Sequence, residues 1–190
     1  MPYVKKKKAE KTREKITEAF FRLAFQSMGV LPNVSEICAD MDIYRSTFYN
    51  YFSSVEELVD EISRELETEL DEHTRGVREL GFRRSGEMEI FLNNVDVMVH
   101  LMKKKRLEHA VLLNPELNLP FRQNFSRKVW SATREVLRDQ PQNAAESICD
   151  FVTEGVMSSV YQWLLKQDMP IGEFSRLLVR MERGILTSVR

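Results

Sequence analysis

The sequence predicts an all-α protein, and three observations carry that prediction. Apolar residues recur at i, i+3, i+4 and i+7 through nearly every segment, which is the repeat of one helix face. No stretch sustains the apolar–polar alternation of a strand between turn signals. Residues suited to starting or stopping helices also stand where the periodic segments begin and end. About nine helices result, divided between a three-helix N-terminal head over 1–54 and a helical body over 55–190.

Taken in order, Ile16, Ala19, Phe20, Leu23 and Ala24 define the buried face of a first helix that begins near Thr12 and is stopped by Gly29. Asn33 or Ser35 caps a second helix over 34–41. Residues 42–44 make a brief break before a third helix over 45–51. Ser53 with Glu56, or Ser54 with Glu57, forms a capping box for a fourth helix, which carries Leu58, Val59, Ile62, Leu66 and Leu70 and ends before Gly76. Residues 76–86 read as a connector. Further helices follow at 87–102, 103–113, 121–138, 141–166 and 171–188, with Pro141 and Pro170 where proline is tolerated in a first turn.

Composition narrows the function classes. A chain of 190 residues suits one ordinary domain, or a small one joined to a larger. No apolar run approaches the roughly 18 residues that a membrane span needs. Residues 1–8 are basic with no apolar stretch after them, which does not read as a secretory signal. Cys38 and Cys149 are the only cysteines, consistent with a reducing cytoplasm and no disulfide framework. Cys38 reads as a small buried hydrophobe, and Cys149 as either an inert thiol or a redox sensor.

The net charge of −1 hides an uneven distribution. Residues 1–22 carry eight Lys/Arg against three Glu, a net +5, whereas residues 53–80 carry ten Asp/Glu against three Arg, a net −7. A phosphate backbone responds to the local field, so a basic head on an acidic body is compatible with DNA contact at one end. A lysine run by itself is more often a solvated tail.

The third helix is the most informative segment. At about 100° per residue, Phe48 and Phe52 set a buried direction. Ser46, Thr47 and Asn50 lie opposite, as small or amide side chains able to approach base edges, while Tyr49 and Tyr51 flank the core direction and can extend hydroxyls to phosphates. Arg45 begins the helix, where it can reach guanine or backbone. This pattern fits a recognition helix, and it also fits a short core helix rich in aromatics.

Three segments decide between them: 33–39 (Asn-Val-Ser-Glu-Ile-Cys-Ala), 43–52 (Ile-Tyr-Arg-Ser-Thr-Phe-Tyr-Asn-Tyr-Phe) and Glu56-Glu57-Leu58. Together they resemble the N-terminal domain of the tetracycline-repressor (TetR) family of bacterial transcriptional regulators, over about residues 11–59. The resemblance implies a helix-turn-helix, with Arg45, Ser46, Thr47 and Asn50 facing the major groove. It also implies that Tyr49, Tyr51 and the Asn33 cap hold phosphates, and that Lys8 and Thr12 touch backbone near the first helix. Three positions depart from the pattern. Asp42 stands for the usual turn glycine, Tyr44 for the usual serine beside the DNA, and Val55 for the usual lysine, whose anchoring is left to a main-chain N–H or to Lys8 or Lys11.

For the body, the resemblance implies a dimer-forming four-helix bundle from the last two helices. Ile148, Val152, Val156, Val160 and Trp163 lie on an apolar surface of the first, and Phe174, Leu178, Met181 and Ile185 on one of the second. An intrachain core is the other reading of both. The middle helices carry Phe91, Val95, Met98, Met102, Phe121, Phe125 and Trp130, which are either core or an effector pocket. The implied function is a repressor that binds palindromic double-stranded DNA as a homodimer and answers to a small-molecule or protein effector. The alternative is a helical coactivator or scaffold of the same fold, governed by a protein partner. Neither reading needs a cofactor or a metal. Three histidines in no dense ligand cluster, with no phosphate-binding loop and no nucleophile motif, offer no catalytic constellation.

Overall fold

The computed structural model describes residues 2–27, 29–81 and 86–188, with backbone alone for 2–8, 76–81, 87 and 88. Among the described residues all regular structure is helical, in nine α-helices and one short 3-10 turn, so the predicted fold class holds. The chain forms two compact units, Met1–Glu65 and Leu66–Arg190. The division falls inside a helix, beyond the 54/55 boundary expected from the sequence.

The first unit contains α1 (Pro2–Gln26), α2 (Val34–Asp40), α3 (Arg45–Tyr49) and the first turns of α4 (Val55–Gly81). Its core joins Ile16, Phe20 and Phe21 of α1 to Ile37, Phe48, Phe52 and Leu58, all essentially without solvent contact. A buried side chain of this size contributes about 1.5–3 kcal/mol. Arg13 closes the edge of this core. Its guanidinium lies 5.4 Å from the centre of the Phe52 ring and pairs with Glu61 at 2.7 Å and Glu65 at 2.8 Å, tying α1 to α4. Gly29, with φ 139°, takes the backbone through a turn that a side chain would oppose.

Two helices are longer than the sequence suggests. α1 is helical from Pro2, because the Lys/Glu-rich stretch before Thr12 favours helix. α4 does not stop before Gly76 but runs to Gly81, since one interior glycine costs only about 1 kcal/mol against alanine. The start of α4 makes half of the second capping arrangement: Ser54 Oγ accepts from the Glu57 N–H at 3.2 Å, but the Glu57 carboxylate accepts from the Ser53 N–H rather than from that of Ser54.

The second unit holds the rest of α4, α5 (Glu87–Lys104), α6 (Arg106–Leu112), α7 (Pro120–Val136), α8 (Gln142–Lys166) and α9 (Ile171–Ser188). α5 packs against α7 and α9, and α8 packs against α6, α7 and α9. Trp163 and Phe174 stack at 4.8 Å where α8 turns into α9, and the indole N–H donates to the Met169 carbonyl at 2.9 Å. Arg106 donates to the carbonyls of Leu164 and Leu165, at 2.6 and 3.0 Å, satisfying two of the orphan acceptors at the end of α8.

Among the described residues of this unit, a carboxyl and an imidazole are buried. Glu182 of α9 is 3% exposed, and neither carboxylate oxygen has a partner among the described residues. Burial pushes its carboxyl up to about 8 from 4.5. His109 of α6 donates from Nδ1 to the Lys105 carbonyl at 2.8 Å and meets the Phe121 ring edge-on, and burial pushes it down to about 4 from 6.5.

The two groups tilt stability in opposite senses. A raised carboxyl holds its proton in the native state, so its stability is full below pH 4.5 and is lost as pH climbs towards 8. A depressed imidazole excludes its proton, so stability is lost as pH falls from 6.5 towards 4. Glu182→Gln is therefore expected to leave stability at pH 5 nearly unchanged and to raise it at pH 8 by on the order of 3 kcal/mol. Urea denaturation at the two pH values checks this, and an equal change at both would contradict it.

Candidate nucleic-acid interface

The head presents α3 through two well-defined helix ends. Asn33 caps α2: its Oδ1 accepts from the Ser35 and Glu36 N–H groups at 2.9 and 3.1 Å, and Glu36 accepts from the Asn33 N–H at 2.7 Å. This is a complete capping box. At the other end, the Asp42 N–H donates to Ala39 O at 3.3 Å and the Ile43 N–H to Cys38 O at 3.0 Å, the paired bonds of a Schellman closure. That closure requires left-handed backbone at Asp42, whose φ is 51°. Aspartate is among the few residues that tolerate such a backbone, so the turn survives the missing glycine.

α3 spans Arg45–Tyr49, shorter than the expected 45–51, because Asn50 forms its C-cap while remaining in right-handed helical backbone. Phe52 still donates to Phe48 O at 3.1 Å, so the aromatic pair keeps its helical spacing. Phe48 and Phe52 are sealed in the core with ring centres 5.8 Å apart. Arg45, Ser46 and Asn50 are exposed, and Thr47 and Tyr51 are half-buried. Tyr44 is 84% and Tyr49 54% exposed, large values for aromatic side chains. Exposure thus follows the angular reading at Phe48, Phe52, Ser46 and Asn50, whereas Thr47, placed opposite the core by angle, is half-buried.

Arg45 has a local partner that the sequence pattern did not reveal: Nη2 donates to Ser35 Oγ at 2.6 Å, linking the start of α3 to the first turn of α2. Arg22 of α1 and Asp40 of α2 form an exposed two-pronged ion pair whose Nη1–Oδ1 arm measures 3.0 Å. Hydrogen bonding to Arg22 holds the Asp40 carboxyl below its ordinary range. Thr12 is half-buried on α1. The side chain of Lys8 lies outside the described residues. Cys38 and Cys149 are both buried, and desolvation raises both thiols.

The body residues separate into groups. Phe91, Val95, Met98, Phe121 and Phe125 line one cleft, whereas Met102 and Trp130 do not. Met102 is buried, and the Trp130 indole donates to Asp150 Oδ1 at 2.8 Å. Of the expected interface residues, Val152, Val156, Val160, Trp163, Phe174 and Leu178 are buried within the chain itself. These six side chains face the packing of α8 and α9 against the rest of the unit. Ile148 and Ile185 are half-buried, and Met181 is 55% exposed. Exposed Phe151, at 67%, and Leu177 stand on the outer faces beside them, and so do Gly155 and Gly184, where an added Cβ would meet nothing within 4 Å. Ala144, Ile148, Phe151, Gly155 and Ser159 form a second helical stripe beside the buried one. Among the described residues no helix is long and apolar enough to cross a membrane, and no cluster of His, Cys, Asp or Glu could hold a metal ion.

No protein-family model matches this sequence, and no curated protein matches it. Solved structures do. A protein assigned as a TetR-family transcriptional regulator from Syntrophomonas wolfei superposes with a TM-score of 0.67 at 12% identity, over 94% of this chain and 96% of that one. A transcriptional regulator of the TerR/AcrR family from Aquifex aeolicus gives 0.63 at 18% identity, over 92% and 99%. The fatty acid degradation regulator FadR from Bacillus halodurans gives 0.62 at 12%, over 94% and 96%. The chain therefore has the TetR-like fold along nearly its whole length.

The helix ends give two stability predictions. Asn33→Ala is expected to lower stability by about 1 kcal/mol through loss of the cap. Asp42→Gly is expected to raise it by about 0.5–1 kcal/mol through relief of the left-handed backbone. Thermal unfolding of both variants against the parent checks the signs.

Proposed function

We propose that the chain is a TetR-like transcriptional regulator, a cytoplasmic, bacterial repressor that binds a palindromic operator as a homodimer and answers to an effector. In this reading the head, 1–54, grips DNA, and the body, 55–190, dimerises and binds the effector. One observation carries it: Ser46 and Asn50 are open to solvent on a helix whose opposite side, Phe48, is sealed in the core. A helix fixed on one face and small and polar on the other is built to enter a major groove. Ser46, Thr47 and Asn50 then read bases, Arg45 and Tyr44 meet the duplex at the helix start, and Tyr49, Tyr51 and Asn33 hold phosphates together with Lys8 and Thr12.

The outer stripes of α8 and α9 support the homodimer. Phe151, Leu177 and Met181 give exposed apolar area, and Gly155 and Gly184 let backbones approach. Two heads on one palindrome would read half-sites about 34–36 Å apart.

Selection of bound sequences from random double-stranded DNA by the purified protein tests the whole reading. The expected result is a palindrome with half-sites one helical turn apart and affinity that falls steeply with salt. Asn50→Ala is expected to cut discrimination between selected and scrambled DNA roughly tenfold, and Tyr49→Phe to weaken both alike. If no sequence is enriched, the scaffold reading replaces this one. If neither substitution alters binding, α3 is not the reading helix.

A further inference from the structure

Three arginines of the head meet different kinds of partner. Arg13 pairs with Glu61 and Glu65, and Arg22 with Asp40, so both charges are met by carboxylates of the fold itself. Arg45 opens α3 and is exposed. Its Nη2 donates to Ser35 Oγ at 2.6 Å, and among the described residues it has no carboxylate partner. A hydroxyl is neutral, so the positive charge is not cancelled, and most of the guanidinium N–H donors remain for other acceptors.

The same bond fixes where that charge sits. Ser35 lies in the first turn of α2, so the guanidinium is held against α2, across the turn from its own helix. The Cys38 thiol, one turn further along α2, feels this charge, which opposes the rise that burial imposes on it. The two helices of a helix-turn-helix do different work on a duplex. The second enters the major groove and meets base edges, whereas the first crosses the sugar–phosphate backbone. A charge held on the first helix therefore faces phosphate. A guanine edge offers neutral acceptors only, whereas a phosphate neutralises the charge, releases a counterion and matches the planar guanidinium fork.

We infer that Arg45 grips a phosphate of the DNA backbone rather than a guanine, and that Ser35 is the positioning residue that holds its guanidinium there. The inference rests on the regulator reading for its partner, double-stranded DNA. Base reading is then left to Ser46, Thr47 and Asn50.

Binding of the full chain to its selected duplex and to a scrambled one, measured across a salt series, tests this. Arg45→Ala is expected to bind both duplexes roughly tenfold more weakly at physiological salt. The slope of log affinity against log salt should become shallower by about 1 for each protomer bound. Selection repeated with this variant should return the same preferred base at every position. Ser35→Ala should weaken both duplexes roughly threefold, the worth of one hydrogen bond. Ser35→Thr should restore the parent affinity, and Ser35→Ala should add nothing in the Arg45→Ala background.

A base preference lost at one operator position in Arg45→Ala reveals a guanine contact. That result overturns the phosphate assignment and leaves the regulator reading intact. An unchanged salt slope in Arg45→Ala does the same. If Ser35→Ala has no effect, or weakens binding by one factor with and without Arg45, Ser35 positions nothing. If no sequence is enriched, yet a duplex is bound with a slope that falls in Arg45→Ala, the phosphate contact stands and the regulator reading falls. Failure to bind any duplex overturns both. Circular dichroism confirms that each variant is folded, and should Arg45→Ala not fold, Arg45→Met makes the same comparison.

Discussion

A five-residue helix has no stability of its own in water, because nucleation costs more than so few hydrogen bonds return. α3 exists because Phe48 and Phe52 are buried against α1, α2 and the first turn of α4, and everything displayed on its outer side inherits its position from that burial. Arg13 reinforces the arrangement from the edge, covering the Phe52 ring while its charge is met by Glu61 and Glu65. The acidic surface of early α4 thus has a structural use inside the head. The turn before α3 is held differently, by backbone bonds that close α2 and demand a left-handed residue. An apolar clamp behind and a hydrogen-bonded turn in front leave α3 few ways to move.

The head was legible in the sequence because its constraints are local. Helix period places Phe48 and Phe52 inward and Ser46 and Asn50 outward, and cap chemistry places Asn33, so neighbours a few residues away decide each outcome. Arg45 was less legible, since its bond to Ser35 joins two helices across a turn whose geometry no periodicity encodes.

The body was legible as helices and not as surfaces. α8 carries two stripes at helical spacing, one with Val152, Val156 and Val160 and one with Ile148, Phe151 and Gly155. Periodicity weighs them equally, and only the structure shows that Val152, Val156 and Val160 are the ones sealed in the chain's own core. The same ambiguity separates Phe125 from Trp130. Both are aromatic residues on α7, but one lines the cleft and the other turns its indole to Asp150. Gly76 shows a different limit, since a stop signal is only a local preference and α4 overrides it.

Glu182 has a consequence for the whole particle. The formal net charge of −1 counts every carboxylate as ionised, but a carboxyl raised to about 8 keeps its proton at neutral pH. The folded chain is then close to electroneutral at pH 7, although its sequence gives an isoelectric point of 6.4. Colloidal repulsion between molecules is weakest near zero net charge, so the native protein should be least soluble close to neutrality. Mild alkalinity restores solubility, and it does so by ionising an acid inside the fold, at some expense in the cohesion of the helices that enclose it.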